Sequence, residues 1–151
     1  MNLIPFEVEH LQEIKRDFEF PEKKETKTFF SAFEEDRGHA GYAYTGVHND
    51  NIIGCGGIYI LWHGCGEAWA TYPLSFRSNI YTVWKYTKKM LQNIIKEHKL
   101  HRVQAIARSD FPGGINWLKH LGFEIEGTLR RYCPNGEDAY MCAILTDIKD
   151  L

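Results

Sequence analysis

No apolar run in the sequence is long enough to cross a bilayer: the longest, Ala139 to Leu145, is seven residues, against the roughly 18 that a spanning helix needs. The four cysteines, Cys55, Cys65, Cys133 and Cys142, include no CxxC pair. A domain of 151 residues does not need disulfide staples, so they read as reduced thiols filling core positions. Charge of one sign is also lacking. Eighteen Lys and Arg stand against twenty Asp and Glu, a formal net charge of −2, which gives no general field for nucleic acid or an anionic membrane surface and leaves only a local patch for such a partner. Repeats, low-complexity tracts and Pro- or Ser-rich linkers are absent, so a single domain over 1–151 is expected. The start, MNLIPFEVEH, puts Glu7 and Glu9 inside its apolar stretch and lacks the basic and hydrophobic regions of a secretory signal; a cytoplasmic location is expected. No G-x-S-x-G, Walker or Rossmann signature appears. The seven histidines are dispersed, and His98-x-x-His101 has no cysteine or carboxylate at ligand spacing, so no metal site is expected.

What is present is an ordinary soluble composition, 44% hydrophobic and 25% charged, with a generous 14% of aromatics. Val8, Leu11 and Ile14 recur at helical spacing until Pro21 breaks the run, and Lys23 to Glu35 reads as a second, charged helix around Phe29, Phe30 and Phe33. Tyr42, Tyr44 and Val47 lead through the turn residues His48 to Asn51 into Ile52, Ile53 and Ile58 to Leu61, a β-hairpin followed by more sheet. Gly54, Gly56 and Gly57 within its second strand predict a bulge or a close approach by another backbone. A short strand, Glu67 to Tyr72, stops at Pro73. From Asn79 to about Lys99, Ile80, Val83, Trp84, Met90, Leu91, Ile94 and Ile95 form a helical stripe, and the opposite face, with Lys85, Lys88, Lys89 and Lys96, reads as solvated. Arg102 to Arg108 reads as a strand. A short helix follows, with Asp110 as N-cap and Pro112 in the first turn, ending at Gly122. Phe123, Ile125, Gly127 and Leu129 then alternate with polar residues, and a turn at Cys133 to Gly136 returns the chain through Tyr140, Cys142 and Ile144. This order predicts a mixed α+β domain on a central sheet.

The stretch from Leu121 to Tyr132 resembles the "LGF…EG.LR.Y" segment of the ribosomal-protein branch of the GNAT (Gcn5-related N-acyltransferase) family, and Asn135 to Tyr140 resembles its "NG..D..Y" hairpin. A second likeness is to small GNAT-like proteins of tailed bacteriophages, including internal virion proteins of podoviruses, which share the "GG…LW.G..E.W" pattern met here from Gly56 to Trp69 and the "I.WL..LGF" helix met from Ile115 to Phe123. The resemblance implies a GNAT-like fold, a mostly antiparallel, splayed sheet of about six to seven strands flanked by about four helices. It also implies acetyl-CoA as donor and a small-molecule or protein amine as acceptor.

In that family the donor's pyrophosphate rests on amides of a "Q/R-x-x-G-x-G/A" loop before the long helix, where unpaired N–H groups and the helix dipole favour an anion. Here the place is taken by Pro73 to Tyr81, which contains no glycine; Arg77, Ser78, Asn79 and Ile80 are the residues that would contact the donor. The backbone of Ala70, Thr71 and Tyr72 would meet the acyl carbonyl and pantetheine, and Ser109 and Asp110 stand where the family often has a cofactor-contacting asparagine. Glu67 is the candidate general base, with an ordinary strand-edge charge as the alternative, and Tyr72 is the second candidate catalytic residue. The tyrosine that many relatives place in the short helix is Leu118 here. Three readings follow: an N-acyltransferase acting on a primary amine; a protein that keeps the fold without the donor site, serving as a virion component or a module for a phage or host protein; and a GNAT-like enzyme acting on DNA bases or another phage target with an unusual donor, which the lysine face of residues 85 to 96 would help recruit. The acceptor, the acyl group and any homodimer stay open.

Overall fold

The computed structural model describes residues 1–17 and 42–150. Along these run strand β1 (Asn2–Pro5), helix α1 (Val8–Asp17), β2 (Ala43–His48), β3 (Asn51–Trp62), β4 (Cys65–Thr71), a 3₁₀ helix (Leu74–Asn79), α2 (Ile80–Glu97), β5 (Arg102–Arg108), α3 (Pro112–Leu121), β6 (Glu124–Leu129), β7 (Ala139–Leu145) and a terminal 3₁₀ turn (Ile148–Asp150). The helix expected over Lys23 to Glu35 lies outside the described residues. The strands hydrogen-bond in the order β1-β2-β3-β4-β5-β7-β6. The β1–β2, β2–β3, β5–β7 and β6–β7 pairs are antiparallel and β4–β5 is parallel. The chain forms two compact units, Met1–Tyr59 with Trp69–Met90, and Ile60–Ala68 with Leu91–Leu151.

In the first unit, Asn49 and Asp50 both take positive φ between the paired residues His48 and Asn51. That is a two-residue turn whose twist suits a hairpin. The expected irregularity in β3 is present: Gly46 faces Gly54 but Val47 faces Ile52, so Ile53 is an inserted residue. The expected close approach is present too. A Cβ on Gly57 would overlap Tyr42 O and come 2.6 Å from Ala43 Cα, one on Gly56 would lie 2.9 Å from Trp69 O, and one on Gly54 would overlap the Tyr72 ring. At the start of α1 the Glu7 amide donates to His10 Nδ1 (3.1 Å), so His10, three positions after the cap, satisfies an amide that the helix leaves unpaired. Leu11, Ile14 and Cys55 form a buried cluster against which Phe6, Ile52 and Trp69 pack, with Phe6 edge-on to Trp69 at 5.2 Å.

In the second unit β5 alternates cleanly, Val103, Ala105 and Ala107 being buried. Helix α3 ends where expected, at Gly122 with φ 103°, whose amide and that of Phe123 reach back to Lys119 O and Leu118 O. The stripe of α2 buries Leu91, Ile94 and Ile95 in this unit and Val83 and Met90 in the first, whereas Ile80, expected on the stripe, is 49% exposed at the first turn. Of the alternating residues, Phe123 is buried just before β6 and Leu129 is half-buried at its end, whereas Ile125, on this edge strand, is 42% exposed. Ile125 faces Cys142 and Gly127 faces Met141, so Glu126 is an inserted residue on that edge. All four cysteines are free and buried, as expected. Among the described residues no helix is long and apolar enough to cross a membrane.

Candidate active site

The parallel pairing of β4 with β5 spans three residue pairs, Cys65 with Arg102, Gly66 with Val103 and Glu67 with Gln104, while β4 itself continues to Thr71 and β5 to Arg108. Glu67 thus stands at the last pair. Its carboxylate is half-buried, and its Oε2 accepts a hydrogen bond from Gln104 Nε2 at 2.9 Å. Gln104 Oε1 accepts in turn from Arg102 Nε and Nη2, each at 3.3 Å. The Arg102 guanidinium also donates through Nη1 and Nη2 to the two carboxylate oxygens of Glu126, at 2.9 and 2.7 Å. Arg102 and Gln104 are two apart on β5 and share a face, and the β6 insertion presents Glu126 to that face. The bidentate contact holds the Glu126 carboxyl below its ordinary range and raises Arg102 further.

The sequence reading missed Arg102, Gln104 and Glu126 as partners of Glu67. For Arg102 and Gln104 the signal was polar residues at alternate positions of β5, in a strand that otherwise reads as central and apolar. Tyr132, quoted only as the last letter of a motif, lies in the same field. Partial burial first, then the negative charge of Glu67, pushes its phenol above its usual value.

Thr71 ends β4 and is 8% exposed, while Ala70 is exposed. Tyr72 stacks on Phe76 of the 3₁₀ helix (centroids 5.0 Å, 28° between planes), and its hydroxyl lies 3.3 Å from Thr87 Oγ1 of α2. Tyr72, Gly54, Val83, Thr87 and Met90 line a small cavity of about 20 Å³, room for about one water. Arg77, Ser78 and Asn79 belong to the 3₁₀ helix, which passes into α2 at Ile80 with helical φ and ψ. Amides of a 3₁₀ helix bond to the carbonyl three residues back, and Phe76 N donates to Pro73 O at 3.0 Å. Arg77 and Ser78 nonetheless present their side chains to solvent.

Ser109 N donates to Asp138 O at 3.0 Å, which ties the end of β5 to the segment before β7. Asp110 does not cap α3. The N-cap is Phe111 and makes no side-chain cap bond; Asp110 instead pairs with Arg108 through Nε to Oδ1 (3.0 Å) and Nη2 to Oδ2 (2.9 Å). A strong guanidinium donor two residues away has drawn the carboxylate from the helix end, and it holds that carboxyl below its ordinary value.

No protein-family model matches the sequence and no curated protein matches it. Solved structures do match. A mutant of the spermidine N-acetyltransferase SpeG from Vibrio cholerae superposes with TM-score 0.70 at 16% identity, over 96% of this chain and 95% of that one. Ard1 from Thermoplasma volcanium gives 0.72 at 14% identity, over 96% and 97%. A GNAT-family acetyltransferase from Bacillus anthracis gives 0.67 at 16%, over 96% and 95%. At such identities the likeness is one of architecture, and it extends over nearly the whole length of each chain: this protein has the GNAT fold of those acetyltransferases.

Proposed function

We propose that the protein is an N-acyltransferase that moves an acetyl or other acyl group from acyl-CoA to a primary amine. The observation that carries this reading is the carboxylate of Glu67, half-buried at the last β4–β5 pair and held by Gln104 at 2.9 Å. A carboxylate held in a fixed orientation, able to reach the amine proton directly or through one water, is what a general base for an amine requires. The amine nitrogen attacks the thioester carbonyl carbon, its proton passes to Glu67 directly or through one water, and the carbon–sulfur bond breaks to release the CoA thiolate. The structural relatives include a spermidine N-acetyltransferase, which supports an amine acceptor. For the donor, Arg77 and Ser78 are exposed side chains that would meet the pyrophosphate by charge and hydrogen bond, in place of glycine amides. The backbone of Ala70 to Tyr72 and the residues Asn79, Ile80, Ser109 and Asp110 remain its further contacts in this reading.

A second reading, a protein with this fold that has no donor site, is favoured by one observation: 74–79 is a 3₁₀ helix that leads directly into α2. Calorimetric titration with acetyl-CoA, and with CoA as control, separates the two. The first reading expects micromolar binding, followed by thiol release with spermidine or an N-terminal peptide amine. It also expects Glu67→Gln to lower kcat by about 10²–10⁴-fold. No binding at millimolar donor establishes the second.

A further inference from the structure

Glu67 is the end of a chain of hydrogen bonds that runs across the sheet to its edge, and the chemistry of each link fixes the next. A guanidinium has donors only. The atom of Gln104 that lies 3.3 Å from both Nε and Nη2 of Arg102 is therefore its oxygen, and the amide nitrogen is left facing Glu67 Oε2 at 2.9 Å. Arg102 is held in its turn by two short bonds to Glu126, the residue that the β6 insertion adds to the edge strand.

We propose that Gln104 is the positioning residue of Glu67, locked in its donating orientation by the Arg102–Glu126 pair. The inference rests on the general-base reading of Glu67. Gln104 occupies Oε2 and leaves Oε1 as the atom that takes the proton. The arrangement also has an electrostatic logic. A cation in direct contact would favour the charged carboxylate and weaken it as a base. Here the nearest link is a neutral amide, and the positive charge one step beyond it is matched by Glu126. The carboxylate is oriented without being ion-paired.

The test is steady-state acetyl transfer by the full chain, with acetyl-CoA as donor and spermidine or an N-terminal peptide amine as acceptor. Gln104→Leu removes the donor and Gln104→Asn draws it back by one methylene. Both are expected to lower kcat roughly tenfold to a hundredfold, to leave the acceptor KM within about twofold, and to keep the thermal midpoint within a few degrees. The same substitutions made in a Glu67→Gln background are expected to cost nothing further, because a positioning residue acts only through the group it positions. An equal loss in both backgrounds, or an unchanged kcat in Gln104→Leu while Glu67→Gln is impaired, overturns the role of Gln104 alone. Wild-type turnover in Glu67→Gln overturns the base assignment and this inference with it. Wild-type protein that binds acetyl-CoA yet acetylates neither acceptor, or that does not bind it, also overturns both.

Discussion

Thr45 has no exposed surface and carries a hydroxyl between two unlike neighbours, His10 Nδ1 at 2.8 Å and Cys55 Sγ at 3.3 Å. Because the Glu7 amide already donates to His10 Nδ1, that nitrogen is an acceptor. The Thr45 hydroxyl thus has a nitrogen acceptor on one side and, on the other, a thiol with which either atom can be the donor. Thr45→Val removes the middle link while nearly preserving volume. It is expected to cost about 1–3 kcal/mol in chemical denaturation, since the thiol and the ring nitrogen lose their buried partner. The thiol itself is 2% exposed, and burial, partly offset by the Thr45 bond and reinforced by Glu13, pushes its pKa to about 11 from 9.0. Cys55 is therefore expected to resist alkylation at pH 8 in the native protein and to react once the chain is unfolded. The sign of its pH effect follows. A value raised on folding means that the unfolded chain loses this proton first, so the stabilisation is complete below pH 9 and declines as pH rises from 9 towards 11. Urea midpoints measured across that interval should fall, and a Cys55→Ala variant should fall less.

Glycines on strands divide by what a methyl group would meet, and the division gives a sharp contrast between two elements. On β3, a Cβ at Gly57 would run into the backbone of Tyr42 and Ala43, whereas on β6 a Cβ at Gly127 has nothing within 4 Å. Gly57→Ala is expected to cost about 1–3 kcal/mol or more, because paired backbone cannot step aside as a flexible side chain can. Gly127→Ala should be neutral or stabilising by up to about 1 kcal/mol. Parallel urea melts of the two variants would measure this, and equal costs would refute the assignment of β3 as the tightly backed strand. The glycine spacing of β3 was legible in the sequence for this reason: three glycines in a strand have few other uses. The helical stripe of α2 and the Gly122 terminus were legible as well, being set by local periodicity and backbone freedom. The face of β6 was not. Alternation at Phe123, Ile125, Gly127 and Leu129 records a strand, but edge position and the inserted Glu126 depend on which strand the chain pairs with. The Asp110 cap failed in a related way, since a preference of short polar side chains for helix ends yielded to a bidentate arginine nearby. For the candidate site, Glu67 could be singled out by residue type and motif, while Gln104 and Arg102 became its partners only through the β4–β5 register.

Ligand binding to the whole molecule gives a prediction that does not depend on turnover. A ligand that binds the folded chain and not the unfolded one stabilises it by about 2.7 kcal/mol at a free concentration one hundred times its dissociation constant. For a chain of about 150 residues each kcal/mol moves the thermal midpoint by roughly 2–4 °C, so saturating acetyl-CoA should raise it by roughly 5–10 °C. CoA should give nearly the same shift, because the acetyl group is a small part of the contact and the pyrophosphate carries the charge. Arg77 tests where that charge is received. Its side chain is exposed in the 3₁₀ helix, so Arg77→Ala should leave the midpoint of the unliganded protein unchanged. The loss of a charge-assisted bond, about 1.5–3 kcal/mol, should weaken donor binding and require correspondingly more ligand for the same shift. The wild-type shift at fixed, subsaturating donor should also shrink as salt is raised from low to physiological concentration, because an exposed cation is screened over about 8–10 Å. An Arg77→Ala protein with the full shift and the same salt dependence would mean that the anion is held elsewhere, and the role given to the 3₁₀ segment would then be wrong even if the acyltransferase reading stood.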